Sequence, residues 1–190
     1  MDKRELRKLI CERKHQFSHE ELECFSQQVC MQVLEHDFWL NASTVLLYNS
    51  LPDEVDTHLL LDTGLKTGKQ ILLPVVAGED LELRMYSEQM RKGSFGILEP
   101  VGKPFLDFPS IDLVIVPGIA FDAERHRLGR GRGYYDRFLS NLPDCKTMGL
   151  CFPFQLVESV PVDSHDIPMS EVISCKPDLP PLSAAGGGVG

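Results

Sequence analysis

The first part of the chain has apolar residues at helical spacing. Residues 2–14 are strongly charged and predict a short helix. Ser18 and Glu21 form a capping-box pattern that predicts the start of a second helix. That helix presents an apolar stripe at spacings of three and four, formed by Leu22, Phe25, Val29 and Val33. We expect it to end at residues 41–43, where the sequence Asn-Ala-Ser interrupts the pattern.

Short apolar runs alternate with helical segments along the rest of the chain. These runs predict strands over residues 44–48, 69–76, 81–86, 111–116, 147–152 and 171–175. Helices are predicted over residues 57–67, with Gly68 as the stop, and over residues 134–141. The alternation predicts a single three-layer, Rossmann-like α/β domain with a largely parallel sheet and helices on both faces.

The composition narrows the class of protein. The 190 residues carry a net charge of −9, and the sequence pI is near 5.1. An acidic chain is a poor duplex-binding protein, so we expect no nucleic-acid partner. We also expect no membrane partner, because no apolar stretch approaches the roughly 18 residues of a membrane span. The charged start is unlike a signal peptide. We therefore predict a cytoplasmic protein in which the six cysteines are reduced.

Domain limits follow from composition as well. We expect one folded domain over residues 1–175. The last stretch, residues 176–190, is rich in proline and glycine and predicts a disordered tail or a vector-derived remnant.

The chemistry concentrates in residues 117–137, which follow the most apolar predicted strand. Ligands of open α/β sheets bind at the carboxyl ends of the strands. Five arginines fall within residues 125–137, where an even spread would place about one basic residue. Positive charge is therefore concentrated at the expected binding edge of an acidic protein.

Glycines alternate with these arginines at Gly129, Gly131 and Gly133. Glycine lets the backbone turn tightly and brings bare amide groups against a ligand. With guanidinium groups beside them, such amides make a site for a polyphosphate. Asp136 follows at once and is placed to hold the magnesium ion that accompanies ATP, or else to act as a favourable charge at a helix start.

Other interpretations of these patterns are weaker. Arginine–glycine alternation also occurs in disordered RNA-binding tails, but these are not enclosed between a buried strand and an amphipathic helix. Residues 64–70 superficially resemble a P-loop. They have one residue too few between the glycines and precede a strand rather than a helix, so we reject that motif.

Residues 116–122 followed by residues 127–137 resemble the 5-formyltetrahydrofolate cyclo-ligases, also called 5,10-methenyltetrahydrofolate synthetases. Weaker features agree in order along the chain: Lys3 with Arg7, then residues 51–57, 96–100 and 166–173. The resemblance covers residues 3 to about 174. It implies cyclisation of 5-formyltetrahydrofolate to 5,10-methenyltetrahydrofolate, with ATP as co-substrate and Mg²⁺ as cofactor, in a protein we expect to be a monomer.

The resemblance also implies roles for individual residues. The ATP contacts would be Lys3, Arg4, Glu5, Leu6 and Arg7, together with Arg127, Leu128, Gly129, Arg130, Gly131, Arg132, Gly133, Tyr134 and Tyr135. The folate contacts would be Asn49, Glu54, Arg130, Gly131, Arg132, Gly133 and Tyr134. Arg130 and Arg132 would neutralise charge on the transferring phosphoryl group, and Asp136 would bind the metal.

Two positions depart from the family pattern. Ser170 stands where the family can carry a second metal-binding aspartate, so Asp166, Glu171 or water would have to compensate. Asn49 stands where the family can carry an apolar residue. Two other functions compete with this one: another phosphate-handling enzyme of the same fold, and a non-catalytic RNA-binding module.

Overall fold

A computed structural model describes residues 1–175 except 94, 95, 97 and 143, so the predicted tail at 176–190 lies outside the described residues. The helices are α1 (Lys3–Lys14), α2 (His19–Glu35), α3 (Asp37–Asn41), α4 (His58–Lys66) and α5 (Tyr134–Leu139). The strands are β1 (Thr44–Leu46), β2 (Gln70–Ala77), β3 (Asp80–Met85), β4 (Met90–Lys92), β5 (Leu98–Pro100), β6 (Leu113–Pro117), β7 (Ala120–Phe121), β8 (Arg127–Leu128), β9 (Lys146–Cys151) and β10 (Glu171–Ser174). The division of the chain at residue 175 stays a prediction.

A six-stranded sheet organises the domain, with strand order β10-β9-β6-β1-β2-β3. Neighbouring strands are parallel except for β2 and β3, which form an antiparallel pair. At the centre, Val45 of β1 lies opposite Ile71 of β2 and Leu113 of β6. The prediction of a largely parallel sheet is confirmed.

Helices and loops cover both faces of this sheet, as the sequence predicts. On one face, α2, α3 and α4 contribute Val29, Trp39 and Leu60 to a buried cluster with alternate residues of the central strands. On the other face, Phe138 and Leu139 of α5 join a second cluster. Because successive strand residues point to opposite faces, a fully buried run such as β6 supplies both clusters.

The first helix packs away from the sheet, on the small β7–β8 ribbon. Leu6 and Ile10 of α1 form a third buried cluster with Ala120, Leu128 and Val160. This contact places the amino-terminal helix beside the segment that follows β8, which is the arginine- and glycine-rich segment of the sequence analysis.

The prediction that the second helix extends to residue 41 is wrong. The chain breaks at His36, whose backbone is extended and whose Nδ1 accepts a hydrogen bond from the Phe38 N–H at 3.1 Å. A separate short helix, α3, then turns Trp39 into the core. The apolar pattern continues past residue 36. Helical periodicity alone therefore does not show that a side-chain cap interrupts the helix there.

The cysteines and residues 64–70 agree with the sequence-based expectations. All six cysteines are free thiols, as predicted, and Cys30 and Cys151 are buried. Residues 64–70 form the end of α4 and the entry into β2, which agrees with rejecting a P-loop. Among the described residues, no helix is long and apolar enough to cross a bilayer.

Candidate active site

A cleft of about 720 Å³ opens at the carboxyl ends of β1 and β6. Its walls contain most of the residues singled out from the sequence, namely Lys3, Arg7, Asn49, Glu54 and every residue from Arg127 to Asp136. These residues come from three separate stretches of the chain. The fold therefore brings segments that are distant along the chain together in one candidate site.

The segment 129–133 forms the basic edge of the cleft. Gly131 and Gly133 have φ angles of 92° and 67°, which is the left-handed region that favours glycine. Arg7 of α1 donates from Nε to the Gly129 carbonyl at 2.9 Å, so the first helix holds the loop. A Cβ at Gly133 would also lie 2.8 Å from Nη1 of Arg137. The glycines are thus required by the shape of the loop.

Arg130 spans the cleft to two carboxylates. Its Nε and Nη2 each lie 3.1 Å from Oε1 of Glu54, and Nη2 also donates to Asp53 Oδ1 at 2.6 Å. Burial raises the pKa of Glu54, although the Leu51 N–H and the charge of Arg130 oppose that shift. In the structure, the predicted phosphate-binding arginine and the predicted pterin-binding carboxylate neutralise each other.

Arg127 and Asp136 form a second, more deeply buried pair. Arg127 Nη2 donates to Asp136 Oδ1 at 2.8 Å, and the side chains are 4% and 14% exposed. The guanidinium also lies 5.8 Å from the centre of the Tyr135 ring. Arg127 lines the cleft, but its hydrogen bond with Asp136 shows that it also fixes the orientation of the predicted metal ligand.

Lys3 reaches two acidic residues: Asp163, which sequence reasoning did not assign to the site, and Asp166, which it named as a substitute metal ligand. Its ammonium group forms ion pairs with Asp163, at 2.7 Å, and with Asp166. Burial raises the pKa of Asp166, but the hydrogen bonds from Lys3 and the Asp163 N–H and the positive charge of Lys3 together outweigh burial, and the net pKa is lowered. His165 lies in the same group, and one ligand atom of each of the three residues falls within 4.8 Å of the others.

The remaining residues of the Lys3–Arg7 stretch lie outside the lining of the cleft. Glu5 accepts a hydrogen bond from the Asp2 N–H at 2.8 Å and so completes the capping box of α1. Leu6 is only 2% exposed and belongs to the core beneath the helix. Arg4 is exposed on the helix surface. Helical geometry separates neighbours in sequence onto different faces, so Lys3 and Arg7, four residues apart, share the cleft side.

Leu6→Ala therefore tests whether Leu6 supports the fold or contacts a nucleotide. We expect the free energy of unfolding to fall by about 2–5 kcal/mol, because a buried leucine is truncated. The ATP dissociation constant of the folded protein should stay within a factor of about two of wild type, since this side chain faces the core. Urea unfolding and ATP titration provide the two measurements, with exposed Leu40→Ala as the matched control. A large loss of ATP affinity without a loss of stability would contradict the core assignment.

Apolar groups form much of the remaining surface of the cleft. Tyr48, Leu51, Pro74, Val76 and Leu81 line it, and none of these was predicted. Tyr134, which we expected to face a ligand, also lines it, with its hydroxyl 3.4 Å from the Gly78 carbonyl. Tyr135 lines it too while packing against the second core cluster. A flat heteroaromatic ligand would find apolar surface here beside the charged groups.

The two departures from the family pattern have clear structural positions. The Ser170 hydroxyl accepts a hydrogen bond from the Thr147 N–H at 3.1 Å, and the Ser170 N–H donates to Thr147 Oγ1 at 2.8 Å, so Ser170 ties β9 to the start of β10. Of the two acidic residues near it in sequence, Asp166 lines the cleft and Glu171 does not. Asn49 lines the cleft and donates to the Leu98 carbonyl at 2.9 Å.

Together, the parallel sheet and the cleft at its carboxyl edge define an α/β enzyme with a basic, glycine-rich loop suited to a phosphorylated ligand. Comparison with known proteins makes the assignment specific. The family described as the 5-formyltetrahydrofolate cyclo-ligase family matches residues 1–175. The chain belongs to this family of ligases, as the sequence resemblance indicated.

Individual relatives support the same assignment. The chain is 31% identical to mouse 5-formyltetrahydrofolate cyclo-ligase over 187 residues, covering 90% of this chain and 92% of that one. It is 31% identical to the Escherichia coli K12 protein of the same name, covering 87% of this chain and 96% of that one. The solved structure of Aquifex aeolicus 5,10-methenyltetrahydrofolate synthetase superposes with a TM-score of 0.78 at 34% identity, covering 91% of this chain and 89% of that one.

Proposed function

We propose that this protein catalyses the ATP-dependent cyclisation of 5-formyltetrahydrofolate to 5,10-methenyltetrahydrofolate, with release of ADP and phosphate. One observation carries the proposal. The basic loop 129–133 and the largely buried carboxylate of Glu54 line the same cleft and are joined by Arg130. A single cavity thus offers a group for a phosphate next to a group for a pterin.

The chemistry explains why such a cavity is needed. A formamide oxygen is a poor leaving group, and transfer of a phosphoryl group to that oxygen makes it a good one. N10 of the same folate molecule then attacks the formyl carbon, a ring closure favoured by proximity. The protein needs no nucleophile of its own. It must align the two ligands and neutralise the phosphoryl charge.

The proposed roles follow from the positions of the side chains. Arg130 and Arg132, on the glycine loop, would neutralise the transferring phosphoryl group. Lys3 and Arg7 enter the cleft from α1 and extend the basic surface available to ATP. Glu54 would accept hydrogen bonds from adjacent N–H donors of the pterin, a two-point contact that suits a carboxylate.

The residues present suit the magnesium ion that ATP carries. Asp136 lines the cleft, and among the described residues Arg127 bonds its Oδ1 while Oδ2 accepts no hydrogen bond. One or two carboxylates with phosphate and water oxygens are what this cation takes. Asp136 would hold it, and Asp166, which lines the same cleft, is the carboxylate available where Ser170 replaces the family's aspartate. The ion would neutralise phosphate charge.

An absorbance assay for the methenyl product, run with and without ATP, tests the proposed reaction. We expect product only when ATP and magnesium are both present, with one ADP released for each product formed. Product formation without ATP, or ATP hydrolysis that leaves the folate unchanged, would contradict the proposal. Retention of RNA by the protein at moderate salt, with no turnover, would favour the binding-module alternative.

Glu54→Gln tests the pterin contact and its dependence on pH. At neutral pH we expect folate binding to weaken about ten- to a hundredfold, because a charge-assisted contact is lost. In the wild-type protein, affinity should fall as the pH drops through the raised pKa of Glu54, since protonation removes the acceptor. The variant should lack this titration.

The folate dissociation constant, measured by calorimetry from pH 5 to pH 8, checks both statements. Glu88→Gln, which removes one exposed negative charge, is the control. An unchanged dissociation constant for Glu54→Gln at neutral pH would exclude this contact.

A further inference from the structure

Glu99 lines the cleft but has no role in the reaction proposed above. It lies on β5, its side chain is 6% exposed, and it lines the same cleft as Glu54 and the glycine loop. The ion-pair partner that the described residues offer it is Arg91, whose Nε is 3.9 Å from Oε2 and whose side chain is 55% exposed. A buried carboxylate with so distant a counter-charge is costly to retain for stability alone.

The backbone at Gly93 leaves room for this carboxylate. A Cβ built on Gly93 would lie 1.9 Å from Cδ of Glu99 and 2.1 and 2.3 Å from its two oxygens. The carboxylate therefore occupies the space that any other residue at position 93 would fill. A side chain at position 93 would therefore move the charge of Glu99 to another place in the cleft.

The position of Glu99 places it with the folate-binding groups. Asn49 donates a hydrogen bond to the carbonyl of Leu98, the residue next to Glu99, at 2.9 Å. This bond joins β5 to the segment that carries Glu54, and Asn49, Glu54 and Glu99 all line the cleft. The wall assigned to the pterin thus carries a second buried negative charge.

The charge of the folate changes in the proposed reaction at the atoms between N5 and N10. The formamide of the substrate is neutral. When N10 attacks the formyl carbon, the new C–N bond forms, the C–O bond breaks, and phosphate leaves with the electron pair. The N10 proton goes to the departing phosphate, and the methenyl bridge is left with one positive charge shared by both nitrogens.

We propose that Glu99 stabilises this positive charge, as a fixed carboxylate that favours the methenyl cation and the cationic species leading to it over the neutral substrate. The proposal rests on the proposed function of the cleft. Interactions that strengthen as charge develops accelerate a reaction, and they act strongly where water is excluded. Glu54, by contrast, would contact pterin donors that are present in substrate and product alike.

Binding measurements test this without relying on turnover. For Glu99→Gln, which keeps the shape and removes the charge, we expect affinity for freshly prepared 5,10-methenyltetrahydrofolate to fall by at least about tenfold. Affinity for 5-formyltetrahydrofolate should change by less than about threefold. Loss of both affinities by the same factor, or of neither, would overturn the proposal.

Further variants separate the charge from the packing. Glu99→Asp keeps the charge but moves it, so we expect a loss of methenyl affinity intermediate between wild type and Glu99→Gln. Gly93→Ala displaces the carboxylate without removing it and should shift the affinity ratio in the same direction. Glu88→Gln, an exposed residue on the segment before β4, should leave the ratio unchanged.

The proposed function and this inference fail in different ways. Wild-type protein that binds neither folate, or that makes no methenyl product with ATP, overturns the proposed function. Active wild-type protein in which Glu99→Gln retains the wild-type ratio of the two affinities overturns the role of Glu99 alone. Thermal unfolding of each variant confirms that the compared proteins are folded.

Discussion

Arg130→Ala is expected to lower kcat by well over tenfold, because the variant lacks the guanidinium assigned to the transferring phosphoryl group. Removal of one group that stabilises transition-state charge costs about 10²–10³ in rate in well-studied enzymes. The fold should remain, since this side chain is 43% exposed on a loop. Steady-state cyclisation rates and thermal unfolding measure the two effects.

Two further results bear on the role of Arg130. Lys8→Ala removes a positive charge from an exposed position on α1 outside the lining of the cleft, and it should retain the wild-type rate. Undiminished turnover in purified Arg130→Ala would refute the catalytic role. A rate loss restored in full by raising the ATP concentration would instead assign Arg130 to ATP binding alone.

Arg127→Met should have the largest effect on stability among the cleft residues. The substitution removes the ion-pair partner that lies 2.8 Å from the mostly buried Asp136 carboxylate. Breaking a buried pair by removing one member costs about 3–5 kcal/mol. Turnover should also fall steeply, because Asp136 loses the contact that orients it. Urea unfolding and the cyclisation assay at a temperature where the variant is folded give both values.

The double variant Arg127→Met/Asp136→Leu separates these two consequences. Replacing both members of a buried pair by apolar groups is often neutral for stability, so we expect most of the lost free energy to return while activity stays absent. A single variant as stable as wild type would show that the pair contributes nothing to the fold. Recovery of turnover in the double variant would remove Asp136 from the reaction.

Much of the fold was predictable because the central strands are apolar on both faces. Residues 111–116, for example, are apolar except for Asp112, so this run predicts a strand rather than a loop. The prediction failed where a local hydrogen bond decided the structure, as at His36, which ends α2 and caps α3. The two-residue strands β7 and β8 were also missed, since a period of two cannot be detected in so short a segment.

The site was predictable where one stretch of sequence carried it. The segment 127–136 was identified from its arginines and glycines, and every residue of it lines the cleft. Within Lys3–Arg7, however, the predicted range does not distinguish the residues, since α1 places Leu6 in the core while Lys3 and Arg7 line the cleft. The sequence does not show which residues of α1 face the core and which face the cleft, because that depends on what the helix packs against.

The contacts in two other parts of the cleft could not be predicted from a single sequence. Asp163 and Asp166 join the site through Lys3, about 160 positions earlier, and only the packing of α1 brings them together. Glu99 lies close to Gly93, six positions before it, in a short hairpin that the polar–apolar pattern did not predict. Contacts made by tertiary packing have no counterpart in local periodicity.

The bridge from Arg130 to Glu54 and Asp53 has a consequence for how the two ligands affect each other's binding. With the proposed roles, a pterin bound to the Glu54 carboxylate would free the guanidinium for a phosphate, and a phosphate bound to Arg130 would free the carboxylate for a pterin. The first ligand to bind would bear the free-energy cost of opening the bridge, so we expect the second to bind more tightly. By linkage this synergy is equal in both directions, whatever the order of addition.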